Sequence, residues 1–114
     1  MARVIITASL LKIIAKKFNN VEANLIIDNL ESLEQNPHKG SALGHVDEIV
    51  IKEIRYQKYS FYFVTDGQVL KFGTEDELIA LLIKFVRMSD KKDQQKVIDE
   101  IKYILRALGG EGFQ

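Results

Sequence analysis

The residues of this chain that could do chemistry are cations and phenols. Lys52, Arg55, Tyr56, Lys58, Tyr59 and Tyr62 crowd one stretch, and Lys84, Arg87, Lys91 and Lys92 another. Lys and Arg engage phosphate oxygens and aromatic rings stack on unpaired bases, so such a set suits a phosphodiester ligand. The competing reading is that strand-edge Lys and Arg blunt sheet edges while the Tyr and Phe stripe builds core. Other chemistries lack their residues. With no Cys there is no disulfide framework, thiolate metal site or cysteine nucleophile. His38 and His45 are seven apart in a loop-like stretch with no acids at ligand spacing, so no metal site or cofactor is expected. Gly40 and Gly44 do not open a helix after a strand, which excludes a phosphate-cradling loop. Glu75, Asp76 and Glu77 read as a solvated turn and not as a catalytic carboxylate pair.

Sixteen Lys and Arg balance sixteen Asp and Glu over 114 residues. A neutral chain does not coat nucleic acid by bulk electrostatics. The balance is nevertheless a cancellation of unlike segments. Residues 1–20 hold Arg3, Lys12, Lys16 and Lys17 without an acid, residues 21–48 hold six acids against Lys39, and residues 84–92 are basic again. A local basic site therefore stays open. At 46% apolar residues with one Pro, the composition is that of one folded domain. No apolar run approaches the ~20 residues needed to span a bilayer, and no secretory leader is evident, so a cytoplasmic protein without membrane contact is expected.

The elements that must position these residues follow from the patterning. Residues 2–7 are β-branched and suit a strand. Ser9 can cap a helix with Leu10, Leu11, Ile14 and Phe18 at helical spacing, and Asn20 can cap a second that buries Ala23, Ile26, Ile27, Leu30 and Leu33 and ends by about Asn36 before Pro37. The pair should form an antiparallel hairpin. Residues 36–44 read as a loop. Residues 48–56, 58–65 and 69–72 read as antiparallel strands, the last two joined at Asp66 and Gly67. Residues 79–86 are apolar on both faces apart from Lys84, as in a central strand, with a helix as the rival assignment. Asp90 or Ser89 can cap a final helix carrying Val97, Ile98, Ile101, Ile104, Leu105 and Leu108 on one stripe, which Gly109 and Gly110 end. The expected fold is α+β: a short N-terminal strand, a helical hairpin, an antiparallel sheet of about four strands and a C-terminal helix. It spans residues 1–108, with 109–114 as a flexible tail anchored at most by Phe113.

This order of elements resembles the RelE/ParE superfamily of toxin-antitoxin toxins, most closely its HigB-like branch. The likeness rests on residues 33–37 (Leu-Glu-Gln-Asn-Pro) closing the second helix, on Gly40 and then Leu43 and Gly44, and on Lys52 to Arg55 (Lys-Glu-Ile-Arg). It continues through the aromatic strand 59–63, the Asp-Gly turn, and residues 81–87 running into Lys91 and Lys92. It covers essentially the whole chain. The resemblance implies a metal-independent messenger RNA endoribonuclease that works at the ribosomal decoding site, inhibits translation and is held by a cognate antitoxin. The ribose 2′-hydroxyl would attack the adjacent phosphorus while cations stabilise the phosphorane. By position, Arg55, Arg87 and Lys92 would be catalytic, and Lys52, Lys58, Tyr59, Lys84 and Lys91 would bind RNA. The chain departs from the pattern at Ser60, where the RNA-cleaving members usually carry Arg, and no late Tyr or His follows Arg87 except Tyr103. Two alternatives stay open: a degenerate or ParE-like member that binds protein without cleaving RNA, and a small dimeric interaction module.

Overall fold

The computed structural model describes residues 2–89 and 92–108. The chain runs β1 (Arg3–Ile6), α1 (Ala8–Lys17), α2 (Asn20–Glu31) with a 3-10 turn Ser32–Glu34, then β2 (Ser41–Val46), β3 (Ile49–Tyr56), β4 (Tyr59–Thr65) and β5 (Val69–Gly73). It closes with α3 (Glu75–Met88), α4 (Gln94–Tyr103) and a π-helical turn Ile104–Leu108. The five strands form one sheet in the order β1-β5-β4-β3-β2, with β1 parallel to β5 and every other pair antiparallel. The α+β class expected from the pattern is what the chain adopts.

Helices cover both faces of this sheet. On one face Ile54, Phe61, Phe63, Leu70 and Phe72 pack against Leu10 and Ile14 of α1 and Ala23, Ile26 and Leu30 of α2. On the other, Val46, Ile51, Tyr62 and Val64 pack against Leu78, Ile79, Leu82 and Val86 of α3 and Ile98, Ile101 and Leu105 behind them. Strand β4 lies under both layers, so residues 60–65 are all buried. That explains its unbroken aromatic and β-branched run.

Three expectations about the sheet need correction. Residues 79–86 are not a strand but the body of α3. Thr74 and Glu77 form a reciprocal capping box, Thr74 accepting from the Glu77 N–H at 3.1 Å and the Glu77 carboxylate accepting from the Thr74 N–H at 3.0 Å. Buried Leu78, Ile79, Leu82 and Val86 then recur at helical spacing, while Leu81 and Phe85 lie along one flank of that stripe. The second correction is β2. Residues 41–46 pair with β3 through a bulge between Ala42 and Gly44 instead of continuing the loop. A Cβ on Gly44 would come within 2.6 Å of Ile104 Cδ1, so close helix approach, not loop flexibility, requires the glycine. The sheet is also mixed, because β1 joins in parallel.

The helix caps lie one to four residues from where the pattern suggested. Thr7, not Ser9, caps α1, and Asn19, not Asn20, caps α2 through its side chain at 2.8 Å from the Glu22 N–H. At α4 the cap position is Asp93, without a side-chain bond, whereas Ser89 turns back to the Val86 carbonyl and closes α3. Asp90, Gly109, Gly110 and the tail with Phe113 lie outside the described residues.

Thr7 joins elements far apart in sequence. Its N–H donates to the Phe72 carbonyl at 3.1 Å, its hydroxyl accepts from the Leu10 N–H at 3.2 Å, and it donates to the Glu77 carboxylate at 2.7 Å. Partial burial works to raise the Glu77 pKa, but the hydrogen bonds from the Thr74 N–H and the Thr7 hydroxyl outweigh it and hold the carboxyl below its ordinary 4.5. The stability this adds is present above pH 4.5 and is lost as pH falls through the lower folded-state value.

Thr7→Ala should therefore cost about 1–3 kcal/mol in urea unfolding, the sum of a lost cap and a weakened carboxylate bond. Thr7→Ser should retain most of the stability, and Glu77→Gln should flatten the acid limb of the stability curve. Independently, Gly44→Ala should destabilise by about 1–3 kcal/mol through overpacking. Ile104→Val, which deletes the crowding Cδ1, should recover part of that loss in the double variant.

Candidate functional site

Three of the residues singled out from the sequence meet at one end of the sheet. Strands β3 and β4 are closed there by the pair Tyr56 and Tyr59, and the two residues between them are Gln57, whose φ is 56°, and Lys58. The end of α1 packs on this tip. The Phe18 ring stands edge-on to Tyr59 at 5.0 Å between centroids and to Tyr56 at 6.5 Å. Lys17 Nζ lies 5.3 Å and Lys58 Nζ 5.6 Å from the centre of the Tyr59 ring. Each such contact contributes about 0.5–1 kcal/mol at an exposed site and gathers positive charge around a half-buried ring. Arg55 lies two residues from the turn but is exposed on the opposite face of β3. Lys17 was missed by motif reasoning. Its signal is the acid-free polar side of α1, whose C-terminus must reach the sheet end.

The remaining candidates lie elsewhere. Lys52 points to the α1–α2 face, where its ammonium donates to the His38 carbonyl at 3.1 Å and lies 5.8 Å from the Phe63 ring centre. It pins the loop before β2 and is not offered to a ligand. Lys84 and Arg87 are exposed on α3, and Lys92 follows it. Helix α3 starts beside Gly73, which pairs with Tyr62, and its Phe85 shares a cleft with Ile49 and Asp66 at the far end of the sheet. From Ile49 to Arg55 the strand advances roughly 20 Å, in a molecule 47 Å long. Arg55 and Arg87 therefore cannot hold one phosphate together. Lys91 lies outside the described residues.

On the α3 face, directly behind the hairpin tip, a polar cluster replaces apolar core. Cross-strand register places Glu53 opposite Tyr62 and Arg55 opposite Ser60. Tyr62 is 2% exposed and Ser60 1%. Burial pushes the Tyr62 phenol up, reinforced by the negative charges of Glu53 and Glu75, while the Ser60 hydroxyl and Arg55 act in the opposite sense. Glu53 Oε2 and Ser60 Oγ, both shielded, make no hydrogen bond of ordinary geometry with a described residue. Above them Arg106 Nε pairs with Glu75 at 3.3 Å, and its Nη2 reaches Asp76 at 3.5 Å. These exposed pairs are worth at most about 1 kcal/mol, but they tie the π-helical turn to the start of α3 over the cluster. A polynucleotide cannot reach Tyr62 under that cover. Among the described residues no group of three or more His, Asp or Glu could hold a metal ion, and no helix is long and apolar enough to cross a membrane.

The arrangement thus divides into an open cationic tip, able to hold phosphates beside aromatic rings, and a closed phenol-carboxylate cluster behind it. The closed part has a pH signature. With the folded-state pKa above the ordinary 10.0, the native chain keeps a proton that the unfolded chain releases, so stability falls as pH rises from about 10 toward the folded-state value. Tyr62→Phe should remove this alkaline loss, and the stability difference between variant and parent, measured by denaturant titration on either side of pH 10, should move in the variant's favour.

No family model, curated protein or solved structure matches this chain.

Proposed function

We propose that this chain acts on RNA as a RelE-like or HigB-like toxin, meeting messenger RNA through the tip of the β3–β4 hairpin. The observation that supports this reading is the convergence of Lys17 and Lys58 on the Tyr59 ring beside Tyr56, with Arg55 two residues from the same turn on the other face of β3. Cations beside aromatic rings hold single strands by phosphate contact and base stacking. Cleavage would follow attack of the 2′-oxygen on the adjacent phosphorus, giving a cyclic phosphate and a free 5′-hydroxyl, with Arg55 stabilising the charge on phosphorus. Arg87 and Lys92 do not belong to that centre and are left as peripheral contacts with the ribosome. On this reading the chain works in the cytoplasm on translated messenger RNA and is restrained by a cognate antitoxin.

A second reading, binding without cleavage, draws support from Ser60. The position where RNA-cleaving members carry Arg is a buried serine, so the expected second phosphate ligand is missing and its place is closed to solvent.

Induction in bacteria separates the two. The cleaving toxin should arrest growth and shorten translated messenger RNA, Arg55→Ala should abolish the cleavage, and Arg87→Ala should not. Growth arrest with intact messenger RNA selects the binding reading, and no arrest rejects both toxin readings. In anisotropy titrations with single-stranded RNA, Lys17→Ala and Lys58→Ala should each lower the slope of log affinity against log salt by about 0.7. Unchanged slopes would move the interface away from the hairpin tip.

A further inference from the structure

The outer surface of the α1–α2 hairpin is divided into opposite charges. Helix α1 carries Lys12, Lys16 and Lys17 and no acid, and α2 carries Glu22, Asp28 and Glu31 and no base. Helical spacing turns Leu10 and Ile14 of α1 inward, so Leu11, Lys12, Ala15 and Lys16 form its solvent face, and all four are exposed. In α2 the buried Ala23, Ile26 and Leu30 leave Val21, Leu25 and Asp28 outward at i, i+4 and i+7, with Glu31 beside them. Val21 is 70% and Leu25 54% exposed, high for side chains that gain from leaving water. The hairpin turns at Phe18 and Asn19, so Leu11 and Leu25 stand at about the same height, each roughly 10 Å from the turn. Lys12, Lys16, Asp28 and Glu31 form no ion pair with any described residue.

A surface with an apolar middle, cations along one helix and acids along the neighbouring helix is complementary to itself. A two-fold axis lying in the plane of the contact, oblique to the helices, crosses α1 of one copy over α2 of the other, and both halves of the contact are then made twice. We propose that this chain self-associates as a two-fold dimer through the outer α1–α2 face, with Lys12 and Lys16 of each copy meeting Asp28 and Glu31 of the other around Leu11, Val21 and Leu25. Net neutrality favours such association, since no overall repulsion opposes it. Lys17 turns toward the hairpin tip, where its ammonium lies over Tyr59, so the dimer leaves that end open.

Charge inversion tests the pairing without touching the core. In sedimentation equilibrium the parent chain should show about twice its 13.0 kDa mass. Lys12→Glu with Lys16→Glu, or Asp28→Lys with Glu31→Lys, should each weaken the dimer on the order of 100-fold by setting like charges against each other. All four changes in one chain restore opposite signs and should restore the dimer. Leu25→Glu, at a position more than half exposed in a monomer, should dissociate it while leaving the circular dichroism unchanged. A parent mass of one chain up to the solubility limit overturns the proposal. So does a dimer that survives both two-residue inversions, or a fourfold variant that stays monomeric while folded.

Discussion

The hydrogen bond from the Thr7 hydroxyl to the Glu77 carboxylate, 70 positions apart, is the point at which the two halves of the fold are joined. Thr7 ends β1 and caps α1, while Glu77 closes the capping box that starts α3 directly after β5. Because β1 and β5 run parallel as neighbours, their ends coincide, and both following helices begin at the same place on opposite faces of the sheet. One hydroxyl serves both starts. An N-terminal strand of four residues has little pairing energy of its own, and Glu34 takes up the Val4 N–H on its outer side at 3.2 Å, so the edge is closed as well as anchored.

That junction determines where function can reside. With one helical layer launched onto each face, both faces are consumed by packing. Polar groups that a bare sheet would display are either buried, as Ser60 and Tyr62 are, or used as ties, as Lys52 is. What remains open is the end of the sheet where the β3–β4 turn extends beyond α3. There the chain can present charge without a desolvation penalty, and there Arg55, Lys58 and Lys17 are found. The same packing separates Arg55 from Arg87, since α3 runs back along the sheet and carries its C-terminal cations to the other end.

Much of this was legible in the residues. Alternation in β3 puts Lys52, Ile54 and Tyr56 on one face and Glu53 and Arg55 on the other, because a period of two leaves no choice once one residue is buried. The helical hairpin and the Asp66 turn followed from local chemistry, the latter confirmed by Asp66 Oδ1 accepting from the Gln68 and Val69 N–H groups at 2.9 Å. Residues 79–86 fit a central strand as well as a helix, because seven of the eight are apolar, and the deciding signal, Thr74 with Glu77, lies upstream of the run. Strand β2 was hidden for a different reason. Ser41, Ala42, Gly44 and His45 have weak strand preference, and the segment is held by its pairing with β3 and by Ile104 lying over Gly44, a contact made 60 positions away.

Charge shows the same division between local and distant information. The sum over the chain is zero, and taken alone it argues against a polyanion partner. Resolved onto the fold, it becomes separate surfaces: an acid-free α1 beside a base-free α2, a cationic hairpin tip, and an acidic start of α3 answered by Arg106. Screening at physiological salt acts over about 8 Å, less than the distance from the tip to the middle of the hairpin. A phosphate held at Lys58 would therefore sense that side chain and Lys17 far more than Asp28 and Glu31 of α2. Neutrality is a property of the whole chain, and recognition depends on the charge within one screening length of the contact.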